Sequence, residues 1–202
     1  MTAAAAIDIT PEDQSRADLY NFLGVLLANP PDELLLAQVA GLSGDDTDLG
    51  QAIGTLSKLA KLSKPKTVVS EYNALFIGLG RGELLPYASY YLTGFLNEKP
   101  LAALRRDMST YGLARAETVF EPEDNIASLM EMMGAMIAGR FGTPADLARQ
   151  KTFFNTHIAP WAAHFFSDLE GAKGSVFYAP VGTVGRCFME VEIEAFRLSQ
   201  DG

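Results

Sequence analysis

Residues 121–133 read Glu-Pro-Glu-Asp-Asn-Ile-Ala-Ser-Leu-Met-Glu-Met-Met, and this stretch decides the fold class. Pro122 suits the first position of a helix, where the amide it lacks would be unpaired anyway and its fixed φ is already helical. Glu123 and Asp124 then fall in the first turn, where negative charge is favoured by the unpaired amides and the positive end of the helix dipole. Ile126, Leu129, Met130, Met133 and Ile137 follow at intervals of three and four, which places them on one face that must be buried. The stretch predicts a core helix beginning at Pro122.

Two further features of the stretch point to a ligand. Between Arg115 and Arg140 lie five acids (Glu117, Glu121, Glu123, Asp124, Glu131) and no Lys or Arg, so nothing local neutralises them. Four of the seven methionines (Met130, Met132, Met133, Met136) also fall here, and an unbranched thioether repacks readily against varied apolar partners. A basic, apolar guest fits both. The alternative is an ordinary core helix whose acids serve only its first turn.

Working outward, the same rules divide the chain into helices. Thr10, Pro11, Glu12 and Asp13 start the first. Leu19, Phe22, Leu23, Leu26 and Leu27 give it an apolar face, and it ends at Asn29, Pro30 and Pro31, because neither proline continues a preceding helix. A second helix is expected from Asp32 to Ala40, then an acidic surface loop from Gly41 to Gly50. A third runs from Leu49 to Leu62. A fourth carries Val68, Val69, Tyr72, Leu75 and Phe76 on one face until Gly78, Gly80 and Gly82 break it. Leu84–Leu96 is dense in aromatic residues (Tyr87, Tyr90, Tyr91, Phe95) after Pro86, and tyrosines join an apolar ring to a polar tip that suits binding surfaces. Pro100–Tyr111 reads as a helix closed by Gly112 in a left-handed cap.

Downstream, Thr143 and Pro144 repeat the cap-and-proline start for a helix carrying Leu147, Phe153, Phe154 and Ile158. Pro160 breaks it, and Trp161, Phe165, Phe166 and Leu169 begin another that ends near Gly171. Glu190 to Glu194 alternates as a strand would, but with no second strand to pair with, the segment from Ser175 to Ser199 is read as helix. The expectation is an all-α fold, one bundle of about eight to nine helices. It spans 10–199, with a disordered N-terminus over 1–9 and a candidate hinge in the loop 113–121.

At 202 residues and 48% hydrophobic, the chain can bury one sizeable core. Its net charge of −9, from 16 basic and 25 acidic groups, argues against a nucleic-acid partner and favours basic ligands. Cys187 is the sole cysteine, which leaves no intrachain disulfide and makes a reducing cytoplasm the simplest setting. The amino terminus lacks a basic region followed by an apolar run, so no secretory signal is read. The uncharged run Leu84–Asn97 contains Pro86 and is too short for a membrane span. A cytoplasmic protein without stable membrane insertion is expected.

Catalytic patterns do not emerge. The glycine cluster from Gly78 lacks the Lys and Ser/Thr of a phosphate loop. His157 and His164 stand without acids at metal-ligand spacing. Cys187, between Arg186 and Phe188, has no assigned base, and no nucleophile elbow occurs. No carboxylate pair stands out for acid and base roles. No enzyme activity, metal or cofactor is expected.

Four stretches taken together do carry a resemblance. Glu71, Tyr72, Leu75, Phe76 and Gly78 are similar to a Glu-aromatic-x-x-Leu-Phe-x-Gly segment. Pro86, Tyr87, Tyr90, Tyr91 and Leu92 are similar to a proline and aromatic stretch. Glu121, Pro122, Asp124 and Asn125 resemble a Glu-Pro-x-Asp-His signature, and Phe154, His157, Ile158, Pro160 and Trp161 resemble a Phe-x-x-His-Leu-x-Pro-Trp segment. In this order they resemble the TorD and DmsD type of cytoplasmic chaperone, the redox enzyme maturation proteins for molybdenum oxidoreductases, over residues 15–198. Asn125 departs from the pattern where the family has His. It keeps donor and acceptor capacity but cannot become charged.

The resemblance implies an all-helical chaperone without catalysis. Its partner would be the precursor of a molybdenum oxidoreductase catalytic subunit, bound through its twin-arginine leader while the molybdenum cofactor is inserted. Family members occur as monomers and as swapped homodimers, and nucleotide binding has been suggested for some. Carried over residue by residue, the peptide-binding set is Tyr72, Leu75, Phe76, Pro86, Tyr87, Tyr91, Glu121, Pro122, Glu123, Asp124, Asn125, His157 and Trp161. The residue chemistry agrees, since two guanidinium groups followed by an apolar run need carboxylates beside a hydrophobic groove. The competing reading is a helical adaptor or assembly factor that binds a folded partner subunit without leader recognition.

Overall fold

The structure, a computed structural model, describes residues 9–78, 80–113, 121–140 and 142–199. Among them are ten α-helices: α1 (Pro11–Ala28), α2 (Glu33–Ala40), α3 (Asp48–Leu62), α4 (Pro65–Tyr72), α5 (Ala88–Thr93), α6 (Lys99–Tyr111), α7 (Ile126–Ala138), α8 (Leu147–Phe153), α9 (Ala162–Gly171) and α10 (Tyr178–Leu198). Two wider π-helical turns, Asn73–Ile77 and Phe154–Ile158, extend α4 and α8. The fold is all-α, and among the described residues the one piece of β pairing is an isolated antiparallel bridge between Tyr87 and Asn125. The helix beyond the expected eight or nine is α5, six residues inside the stretch that the sequence marks only as aromatic-rich. The expected hinge and disordered N-terminus fall largely on 114–120 and 1–8, outside the described residues.

The α1–α7 pair forms the centre of the core. Ala17 and Gly24 on α1 meet Gly134 and Ala127 on α7, so the two helices run antiparallel at close range. A Cβ on Gly134 would lie 3.0 Å from the carbonyl oxygen of Ala17, and one on Gly24 would lie 2.8 Å from Glu131 Cγ. Small residues at these crossings let the backbones approach. Met130 and Met133 fill the interior, and Met132 and Met136 are also buried. The methionine helix is therefore core rather than the wall of an open groove. Behind it α9 packs on α10, and α3 packs on both α10 and α2.

Caps fix the helix starts. Thr10, Asp32, Thr47 and Asp146 each accept an amide from the first turn of the helix that follows. Asp146, not Thr143, starts α8, so Pro144 lies three residues ahead of the helix it was expected to open. Buried polar groups tie the ends together. Arg16 donates to both oxygens of Glu192 at 2.7 and 2.8 Å and to Gln150 Oε1 at 2.9 Å, and Tyr20 Oη donates to the same Glu192 at 2.9 Å. Arg16 thus ties α1 to α10 and α8, and Glu192 is left with no exposed lone charge.

Glu71 does the same for the other end. Its carboxylate accepts the amides of Val176 (2.7 Å), Phe177 (3.1 Å) and Tyr178 (2.8 Å). These are the unpaired amides at the start of α10, whose own N-cap, Phe177, offers no acceptor. Replacing Glu71 by Ala would strand three donors, two of them in buried residues. We expect Glu71→Ala to lower unfolding free energy by about 3 kcal/mol in chemical denaturation. A change below about 0.5 kcal/mol would show that solvent can satisfy these amides.

Candidate functional site

The acids of the opening stretch do not begin α7. That helix starts at Ile126, with Asn125 as its N-cap accepting the Ala127 amide at 2.9 Å. Asn125 is held extended because the chain here pairs with the Pro86–Ser89 segment. The Ile126 amide donates to the Pro86 carbonyl at 2.8 Å, and the Ala88 amide to the Asp124 carbonyl at 3.0 Å. The Asp124 carboxylate then accepts the Ser89 amide at 2.8 Å, which makes it the anion at the start of α5 instead of α7. Pro122 lies in the turn before the seam, where its carbonyl accepts the Asn125 amide.

Of the thirteen residues singled out from the sequence, Pro122 and Asn125 belong to the seam, Glu123 pairs with Arg105, and the other ten separate into three groups. The first surrounds Glu121, which is exposed. Tyr87 Oη donates to its carboxylate. Burial raises the Tyr87 pKa, and the hydrogen bond to Glu121 raises it further, so this phenol stays a donor at all ordinary pH. Tyr72 belongs to the same neighbourhood, its pKa raised by burial and then by the Glu121 charge. Its hydroxyl donates to the Ala28 carbonyl at 2.9 Å. Phe76 packs edge-on against Tyr72 and Tyr178 at 5.0 and 5.5 Å between centroids. Leu75 and Pro86 are buried.

The second group is Asp124 with His157. Both line a cavity of about 330 Å³ bounded by α5, α6, α7 and the second π turn. Asp124 is 1% exposed, and its Oδ1 is buried without a hydrogen-bond partner. In the third group, Tyr91 donates to Asp168 Oδ2 at 2.9 Å and stacks at 5.3 Å from Trp161. Trp161 is buried, and its indole donates to the His157 carbonyl at 2.8 Å.

Two expectations about charge are corrected. The acids were read as a run with no local counter-charge, but Glu123 is buried and receives Arg105 Nε and Nη2 at 3.0 and 2.8 Å. Asp124 is buried too, so of the three carboxylates expected to be exposed only Glu121 is. Arg105 and Asp107 lie on α6, 18 and 50 residues from their partners, and no short-range pattern announces them. His164, expected to lack an acid, lies 3.6 Å from Asp168 one turn away; the histidine is largely exposed and Asp168 is half-buried.

For chemistry, His157 Nε2 is engaged by Asp107 Oδ2 at 2.7 Å, while Cys187 lines a separate cavity against Asp48, Gln51 and Arg186. Burial raises the Cys187 pKa, away from a reactive thiolate. Burial lowers the pKa of His157 below its ordinary 6.5, partly offset by the Asp107 contact. A depressed native pKa means that the unfolded chain takes up the proton first as pH falls. The neutral imidazole therefore contributes stability above 6.5 that is lost as pH drops through the lowered native value. We expect wild type to lose more stability than His157→Gln between about pH 7 and about pH 5. Parallel pH profiles for the two proteins would contradict this.

Known proteins resemble this chain along most of its length. The family described as nitrate reductase delta subunit matches residues 43–167. Chaperone protein TorD of Aliivibrio fischeri is 24% identical over 208 aligned residues, covering 93% of this chain and 97% of that protein. Chaperone protein TorD of Vibrio atlanticus is 26% identical over 90% of this chain and 94% of its own. A crystal structure described as a redox enzyme maturation protein from Archaeoglobus fulgidus superposes with a TM-score of 0.57 at 22% identity, covering 94% of this chain and 99% of that one, and so shares the fold. The chain belongs to the nitrate reductase delta subunit family, the family of the TorD-type chaperones of redox enzyme maturation.

Proposed function

We propose that this protein is a cytoplasmic chaperone, without catalytic activity, that binds the twin-arginine leader of a molybdenum oxidoreductase precursor before export. The observation that carries the reading is the exposed Glu121 carboxylate beside the Tyr87 hydroxyl, over the aromatic surface of Tyr72 and Phe76. An arginine approaching Glu121 would gain a charge-assisted contact, and the apolar residues that follow it in a leader would find aromatic rings alongside. The net charge of −9 favours encounter with such a basic segment. Family membership supports the maturation role, and no described helix is long and apolar enough to cross a membrane.

A second reading rests on a different surface. Leu92, Phe95 and Leu96 are 43%, 70% and 43% exposed, an apolar lip that would suit the folded body of a client. An adaptor of this kind retains a precursor whose leader has been cut. A leader receptor loses it.

Titration with leader peptides separates the residue roles. Glu121→Gln should weaken an Arg-Arg leader by up to about 1 kcal/mol, the range for an exposed ion pair, and leave a Gln-Gln leader unchanged. Raising salt from about 0.1 M to about 1 M should weaken the Arg-Arg leader in wild type, as the Debye length falls from about 10 Å to about 3 Å. Equal binding of both leaders at every salt concentration would reject Glu121 as an arginine acceptor.

A further inference from the structure

We infer that the cleft between α1 and α2 takes the apolar run that follows the arginines of the bound leader. This rests on the leader reading above. The cleft has a volume of about 440 Å³, within the range of ligand-sized pockets. Val25 and Ala28 of α1 form one wall, Leu34 and Leu35 of α2 the other, and Glu131 lines it from α7. Pro30 and Pro31 fix the backbone between the two helices, so the cleft is present before anything binds. Val25 and Leu34 are 47% and 68% exposed. A single exposed aliphatic residue is ordinary, but two in one concave surface mark an interaction site.

Position connects the cleft to Glu121. The Tyr72 hydroxyl donates to the Leu27 and Ala28 carbonyls at 3.2 and 2.9 Å, and Ala28 lines the cleft. Tyr72 also lies in the field of the Glu121 carboxylate, so one side chain adjoins both. Along α7, Glu131 comes six residues after the Asn125 cap. That is about 9 Å of helix, a length that about three residues of an extended leader cover.

Charge selects the occupant. The charged residues lining the cleft are Asp32 and Glu131, both acids. Gly24 leaves room for the Glu131 stem to lie across α1, since a Cβ there would come 2.8 Å from Glu131 Cγ. A second copy of this chain, with its net charge of −9, would bring further acids against these two. An uncharged apolar run meets them without repulsion, and the arginines beside it are drawn toward them.

The test uses the full chain and two Arg-Arg leader peptides, one with its apolar run intact and one with that run changed to serine and glycine. Wild type should bind the intact leader about tenfold more tightly, the scale of covering two partly exposed aliphatic side chains. Leu34→Glu suits the first turn of α2, and Val25→Gln falls on an exposed helical position, so both variants should fold, which thermal melting checks. In either variant the difference between the two peptides should fall to about threefold or less. A nitroxide attached within the apolar run should broaden the methyl resonances of Val25 and Leu34, and one attached ahead of the arginines should not. If a leader binds but the two peptides differ equally in wild type and both variants, or the nitroxide broadens Leu92 and Leu96 instead, the cleft assignment is overturned while the leader reading stands. If no leader binds, both are overturned. Methyl shifts of Val25 and Leu34 that grow with protein concentration in the absence of peptide would give the cleft to a second copy and overturn the assignment as well.

Discussion

Two segments far apart in sequence, Pro86–Ser89 and Asp124–Ile126, are joined by three hydrogen bonds, and both neighbouring helices take their starts from that seam. The Ile126 amide to the Pro86 carbonyl and the Ala88 amide to the Asp124 carbonyl hold the backbones side by side. The Asp124 carboxylate then receives the Ser89 amide, an otherwise unpaired donor in the first turn of α5. Asn125 is kept extended by the same pairing and is thereby free to cap α7. The seam also fixes what stands on either side of it. Tyr87 is turned to Glu121, and Ala88 and Asp124 line the cavity.

The motifs that carry the family resemblance are in good part what folds the chain. Glu71 caps α10 from 105 residues away. Gly78 adopts φ 61°, which a side chain would disfavour, and a Cβ there would strike the backbone of Arg81. The Trp161 indole closes on the His157 carbonyl, and Asp124 serves α5. After these duties are subtracted, the motif groups that remain for a partner include the exposed carboxylate of Glu121, the exposed Leu92 and the partly exposed faces of Tyr72, Phe76 and Tyr87.

The helical class was legible because apolar spacing and caps are local signals. Thr10 and Gly112 act as their positions suggest. The start of α7 was misread for a physical reason. Pro-Glu-Asp satisfies the local rule for a first turn, but the Pro86 segment competes for the same backbone groups, and a single strand-like bridge leaves no periodic pattern. The two π turns were invisible as well, since each widens one turn within a run whose apolar spacing still looks helical. The ion pair that buries Glu123 was missed because Arg105 comes from α6, across the stretch 114–120 that lies outside the described residues. Charge counting along the sequence marked the acids as unneutralised. Only the packing of α6 shows which of them remain so.

The most direct test of the account is a backbone amide chemical-shift map of the isotopically labelled protein titrated with an Arg-Arg leader peptide. The largest changes are predicted at the seam, at Ala88, Ser89, Asn125 and Ile126, because the seam holds Tyr87 against Glu121, the carboxylate assigned to a leader arginine. Changes confined to the α3–α10 face around Gln51, Arg186 and Cys187, or no changes at saturating peptide, would contradict the assignment of leader binding to this site.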